Sequence, residues 1–74
     1  MTASSTATVG VTVNGEPRRL VRGSTLDVLI AELTAAPSGV AAAVNETVVP
    51  RGRWPEEELA DGDRVEILTA VQGG

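Results

Sequence analysis

The chain has 74 residues, a size at which a single apolar core can only just hold a domain without help. It contains no Cys and no His, which excludes disulfides, thiolate zinc sites and imidazole chemistry and leaves stability to the core alone. The net charge is −4 and Trp54 is the only aromatic residue, so the chain is poorly equipped to bind a phosphate backbone or to stack nucleic-acid bases.

Residues 1–7, "MTASSTA", are small, polar and aperiodic, and read as a disordered lead-in. In "TVGVTVNGEPRRLV", Val9, Val11 and Val13 alternate with Gly10 and Thr12, the period of a half-buried strand. Asn14-Gly15 predicts a tight hairpin turn, because a type I′ turn needs positive φ at both central residues. The second strand is short, and Pro17 near its start suits a sheet edge, where a missing N–H disrupts no ladder.

"GSTLDVLIAELTAAPSG" predicts a helix. Ser24 is placed to cap it, and Asp27 puts a carboxylate in the first turn. Leu26, Leu29, Ile30 and Leu33 follow the i, i+3, i+4, i+7 spacing of one apolar stripe, with Pro37 and Gly39 ending the run. Such a helix must lie across a sheet. That sheet continues with strands at residues 40–45 and 47–50, joined by a polar turn at Asn45-Glu46. "RGRWPEEELADGD" is irregular, with a helical turn expected over residues 56–59 and Leu59 pointing inward. Asp61-Gly62-Asp63 is turn chemistry.

The last strand is predicted over residues 64–71. It carries Val65 and Ile67 on one face and Leu68 on the other, which suggests a central strand or one with a partner on its exposed side. Trp54 reads first as a cover over the core and second as a partner contact. Glu56, Glu57 and Glu58 read as a solvated face, and Arg18, Arg19, Arg51 and Arg53 as surface charges.

The order strand, strand, helix, strand, strand, turn, strand predicts an α+β domain. A hairpin, a crossing helix and a final strand inserted beside the first make a β-grasp, with a mixed sheet of four to five strands crossed by one helix. The β-grasp domain is placed at residues 8–70 and a flexible tail at 71–74, ending in Gly-Gly. No segment has the pattern of a signal peptide and no apolar run reaches membrane-spanning length, so the expected setting is the cytoplasm, with no membrane and no nucleic acid as partner.

The segment "AVNETVVPRGRW", followed by "LADGDRVEILTAVQGG", resembles the bacterial sulfur-carrier proteins of thiamine (thiazole) biosynthesis. "VNGE" and "STLDVLIAEL" agree more loosely, and the likeness covers nearly all of the chain after residue 7. The polar extension at the start and Gly52 beside Arg51 depart from the family pattern. The resemblance implies a ubiquitin-like carrier, monomeric when free, that binds no cofactor and no metal and has no catalytic residue of its own. A ubiquitin-activating-type enzyme would use ATP to adenylate the carboxylate of Gly74. A sulfur donor such as a cysteine desulfurase persulfide would convert it to a thiocarboxylate, and thiazole synthase would receive the sulfur.

The residues suit that chemistry. A terminal carboxyl, with an ordinary pKa of about 3.3–3.7, is an anion at neutral pH and an adequate nucleophile toward a metal-polarised phosphate. Gly73 and Gly74, without Cβ atoms, can enter a narrow channel and approach a nucleotide closely. Val71, Gln72 and Gly73 would form the tail that enters a partner, and Leu68 and Trp54 are the candidate docking surface. Lysine is absent, so no side-chain amine of the carrier can be acylated by its own activated end. The alternatives are a carrier of another pathway (the small subunit of molybdopterin synthase, or a carrier for an amino acid or thiosugar) and a ubiquitin-like protein modifier. An enzyme in its own right is the weakest reading, because a chain without His or Cys, and without an obvious cluster of paired acids, is badly equipped for catalysis.

Overall fold

A computed structural model describes residues 7–34 and 39–69. Strands β1 (Thr8–Val13) and β2 (Glu16–Val21) form the first hairpin, followed by helix α1 (Leu26–Leu33). Strands β3 (Val40–Val44) and β4 (Thr47–Val49) form the second hairpin. A 3₁₀ helix (Arg51–Glu56) and strand β5 (Arg64–Thr69) complete the order. The five strands make one mixed sheet in the order β2-β1-β5-β3-β4. β5 runs parallel to β1 and antiparallel to β3, so the last strand is central, as its two-faced apolar pattern predicts.

Both hairpins turn on asparagine. Asn14 and Gly15 have φ of 52° and 87°, and Asn45 and Glu46 have φ of 51° and 72°, the positive values that a type I′ turn demands at both positions. Pro17 lies on edge strand β2 opposite Thr12. The Thr12 N–H donates to Asp63 O (3.1 Å), toward β5. The Thr12–Pro17 pair therefore exchanges no hydrogen bonds across the hairpin, and the N–H that Pro17 lacks would have pointed out of the sheet. Ala7, assigned to the lead-in, accepts a hydrogen bond from the Arg22 N–H (2.9 Å) and extends the hairpin by one residue.

Helix α1 buries Leu26, Leu29 and Ile30 against the sheet face that carries Val9, Val11, Val65 and Ile67. Each such side chain contributes about 1.5–3 kcal/mol by leaving water. Leu33, the last residue of the expected stripe, is 40% exposed because the helix ends there and the chain turns away at Thr34. The capping residue is Thr25 rather than Ser24. Ser24 instead donates its hydroxyl to Val21 O (2.6 Å), closing the β2–α1 turn, and the Thr25 hydroxyl bonds Asp27.

The irregular stretch also folds differently from expectation. Its helical turn is the 3₁₀ segment around Trp54, and residues 57–59 are extended. They pair with the helix start: Leu26 N–H donates to Glu57 O (2.8 Å) and Leu59 N–H to Ser24 O (2.9 Å). This exchange satisfies a donor that a helix N-terminus otherwise leaves open. Leu59 points inward as expected. Among the described residues, no helix is long and apolar enough to cross a membrane.

Leu29 is 1% exposed, whereas Val28 beside it is 46% exposed. Leu29→Ala should therefore cost about 2–5 kcal/mol, a large part of the roughly 4–11 kcal/mol expected for a domain of this size. Val28→Ala should stay within about 0.5 kcal/mol. Urea titration of the two variants checks the contrast, and equal shifts in midpoint would place the helix wrongly.

Candidate functional site

The four tail residues Val71, Gln72, Gly73 and Gly74 lie outside the described residues, as does Ala70. Their root, strand β5, is described up to Thr69 and is held along both edges. On the β1 side the pairing begins before β5 itself. Gly10 donates its N–H to the Asp61 carboxylate (2.7 Å) and accepts at its carbonyl from Gly62 N–H (2.7 Å), with Gly62 at φ 91° to make the turn. Thr12 N–H and Asn14 N–H then donate to Asp63 O and Val65 O.

Beyond Val65, β1 has turned away into its hairpin and offers β5 no further backbone. The Asn14 side chain takes its place. Its Oδ1 accepts from Ile67 N–H (2.9 Å) and its Nδ2 donates to Ile67 O (3.1 Å), copying with an amide side chain the pair of bonds a strand residue would make. On the opposite side Asn45 acts in the same way. Its N–H donates to Arg64 O (2.7 Å), its Oδ1 accepts from Arg64 N–H (3.0 Å), and its Nδ2 donates to the Asp63 carboxylate (2.9 Å). Asp63 also accepts from Ala60 N–H (2.8 Å). "DGD" is therefore more than a turn: just before β5 begins, Asp61 bonds β1 at Gly10, and Asp63 bonds the Asn45 side chain and Ala60 N–H.

Alternate residues of β5 face opposite ways. Val65 and Ile67 enter the core, while Glu66 and Leu68 look out from the sheet face opposite the helix. On that face Leu68 stands across from Ala41 of β3, and Ala43 lies between Glu66 and Val48 of β4. Leu68 is 71% exposed and Val48 72%. The two small alanines between these larger side chains leave a shallow apolar hollow of about 90 Å³, bordered by the Glu66 carboxylate. An exposed apolar patch one residue from the end of β5 is the type of surface on which a partner docks.

Trp54 does not share that surface. Its indole is 4% exposed, packs in the core, and donates its N–H to Val49 O (2.9 Å). The candidate docking role for Trp54 is thereby corrected. The 3₁₀ turn directs its ring inward, where a buried indole needs an acceptor and finds one at the end of β4. Of the two residues expected at a docking surface, Leu68 lies at the protein surface, beside Val48, Ala41 and Ala43. The alternation in "VAAAV" and "TVV" carries these three, since every second residue must face away from the helix.

Exposed ion pairs join Arg18 with Glu32 (3.6 Å), Arg53 with Glu56 (3.5 Å) and Arg64 with Glu46 (3.1 Å). No cluster of three or more Asp or Glu that could hold a metal ion occurs among the described residues.

The profile of the ThiS family matches residues 11–74. The chain is 41% identical over 64 residues to the sulfur carrier protein ThiS of Thermus thermophilus, covering 86% of this chain and 98% of that protein. It is also 37% identical over 62 residues to a thiazole synthase of Magnetococcus marinus, covering 84% of this chain and 19% of the synthase. Among solved structures, the thiamine biosynthesis protein ThiS of Geobacter metallireducens superposes with a TM-score of 0.76 at 29% identity, covering 89% of this chain and all of that one.

Leu68→Ser should leave stability within about 0.5 kcal/mol, because the side chain is already in water. Trp54→Ala should cost about 3–5 kcal/mol. Thermal melts of both variants check this division, and a destabilised Leu68→Ser would show that the patch belongs to the fold.

Proposed function

The chain belongs to the ThiS family, and from that membership we propose how it works as a sulfur carrier of thiamine biosynthesis, with the carboxylate of Gly74 as the group that carries the sulfur. The observation that supports this assignment most is the extent of the family match, which runs through Gly73 and Gly74 to the last residue. The protein is a co-substrate rather than a catalyst.

In the proposed cycle, an adenylating partner holds ATP and the Gly74 carboxylate attacks its α-phosphate. Pyrophosphate leaves and an acyl-adenylate forms. A persulfide sulfur, such as that of a cysteine desulfurase, displaces AMP and leaves an acyl disulfide. A thiol then attacks the donor's sulfur, the S–S bond breaks, the donor leaves as a disulfide with that thiol, and a thiocarboxylate remains on Gly74. Thiazole synthase then takes the sulfur. The similarity to one segment of a thiazole synthase supports this partner, because in that relative a carrier-like segment and the synthase share one chain. The exchange uses ATP, and its proposed setting is therefore the cytoplasm.

The geometry of β5 suits a tail that must be delivered. Extended, residues 71–74 span about 13–14 Å, so a partner's active site must lie within that reach of the domain. Ordering such a tail costs conformational entropy, and the globular surface has to offset that cost. The Leu68–Val48 patch lies beside the root of the tail and is the surface proposed to dock. Val71, Gln72 and Gly73 are proposed to thread the partner's channel.

A reconstituted thiazole-forming assay tests the assignment. Deleting Gly74, or adding one residue after it, should abolish product while leaving the thermal melt unchanged. Leu68→Glu should raise the KM for the carrier about tenfold or more, the loss expected when a central interface contact is removed. Activity that survives a one-residue extension would remove Gly74 from the mechanism. Product in a molybdopterin assay but none in the thiazole assay would move the carrier to another pathway.

A further inference from the structure

Asn14 precedes Gly15 at the tip of the first hairpin, and this dipeptide has a chemistry of its own. Glycine carries no side chain to shield its backbone nitrogen, so that nitrogen can attack the Asn14 side-chain carbonyl carbon. A new N–C bond forms, the bond to the side-chain nitrogen breaks, and ammonia leaves behind a five-membered succinimide. Water then opens one of the two ring C–N bonds. The product is aspartate, or isoaspartate with the main chain routed through the side chain. The net reaction is asparagine plus water to aspartate plus ammonia, with no oxidant or reductant involved.

The fold acts on the same amide. Asn14 Oδ1 and Nδ2 are both held by Ile67, and the attack on Cγ requires the amide to leave those bonds. The product cannot restore them. A carboxylate only accepts, so Ile67 O would face another acceptor in place of a donor at a half-buried position. Asn45 provides a comparison within the chain. It too has positive φ and a side chain bonded to β5, but Glu46 follows it, and the Glu46 side chain crowds the attacking nitrogen.

We propose that Asn14-Gly15 is a deamidation site, that its hydrogen bonds to Ile67 slow the reaction in the folded protein, and that conversion opens the clasp on β5 two residues before the strand's end. The chemistry does not depend on the sulfur-carrier reading. If that reading holds, the converted protein is a carrier whose tail is delivered from a loosened root.

The full chain is incubated at mildly alkaline pH, once folded and once in urea, and then cut with trypsin. Every side-chain cation is arginine, so Asn14 falls in the peptide ending at Arg18 and Asn45 in the peptide ending at Arg51. In urea the Asn14 peptide should acquire the mass change of NH₂ to OH well before the Asn45 peptide does. In the folded chain the conversion should be about tenfold slower or more, the factor expected when two hydrogen bonds must open first. The converted fraction, separable by its extra negative charge, should show faster amide exchange at Ile67 than the unconverted protein. Asn14→Asp should show the same faster exchange. If that variant does not fold, the fraction separated from the unaltered chain still gives the readout. Equal rates at Asn14 and Asn45 in urea, equal rates for Asn14 with and without urea, or unchanged exchange at Ile67 would each overturn the proposal.

Discussion

A strand that reaches the middle of a sheet last must find hydrogen-bond partners on both edges, and that constraint on β5 organises the rest of this protein. β1 can supply backbone to it only over a few residues, because the Asn14-Gly15 turn carries the chain away. Side chains finish what the backbone cannot. Asp61 binds Gly10 where the pairing starts and Asn14 binds Ile67 where it ends, so the parallel ladder is closed by a side chain at each end. On the other edge Asn45 performs the same service at Arg64. The two hairpin turns are therefore also the two clamps on the central strand. Their asparagines are suited to both tasks, since asparagine tolerates positive φ and carries a donor and an acceptor in one plane.

This arrangement separates holding from reacting. The face of the sheet under the helix takes up the valines, leucines and Trp54 that keep the chain folded. On the opposite face, the β3–β5 part of the sheet carries Leu68, Val48, the small alanines between them and Glu66. A chain without His or Cys brings no imidazole and no thiol to a reaction, and a carrier needs neither. Its requirements are a fixed point from which a short tail departs and a surface that a larger enzyme can grip. β5 meets both, because the residues that anchor it alternate with the one that faces outward.

Much of this was legible in the residues. The alternation of Val9, Val11 and Val13, the Asn-Gly turn, Pro17 at an edge, the spacing of the helical leucines and the two-faced β5 all came through, because each reflects a local rule that the fold obeys. The misses share a cause. Ser24 looks like a cap, but the hydroxyl of Ser24 has a nearer acceptor in Val21 O, so Thr25 takes the position. The helical turn moved from residues 56–59 to the 3₁₀ segment because residues 57–59 pair with the start of α1, a contact more than thirty residues away along the chain. The clamping roles of Asn14, Asn45 and Asp61 depend on which strand ends up beside which, and no spacing in the sequence states that. Trp54 could be placed on either side of the sheet until the direction of its turn was known.

The task proposed for this fold is to present one carboxylate, that of Gly74. Intact-mass measurement with fragmentation tests it most directly, after incubation of the full chain with an adenylating enzyme, ATP and a sulfur donor. One oxygen should be exchanged for one sulfur, the exchange should require ATP, and fragmentation should locate the sulfur on Gly74. Sulfur found elsewhere in the chain, or an unchanged mass with a partner proven active on another carrier, would contradict it.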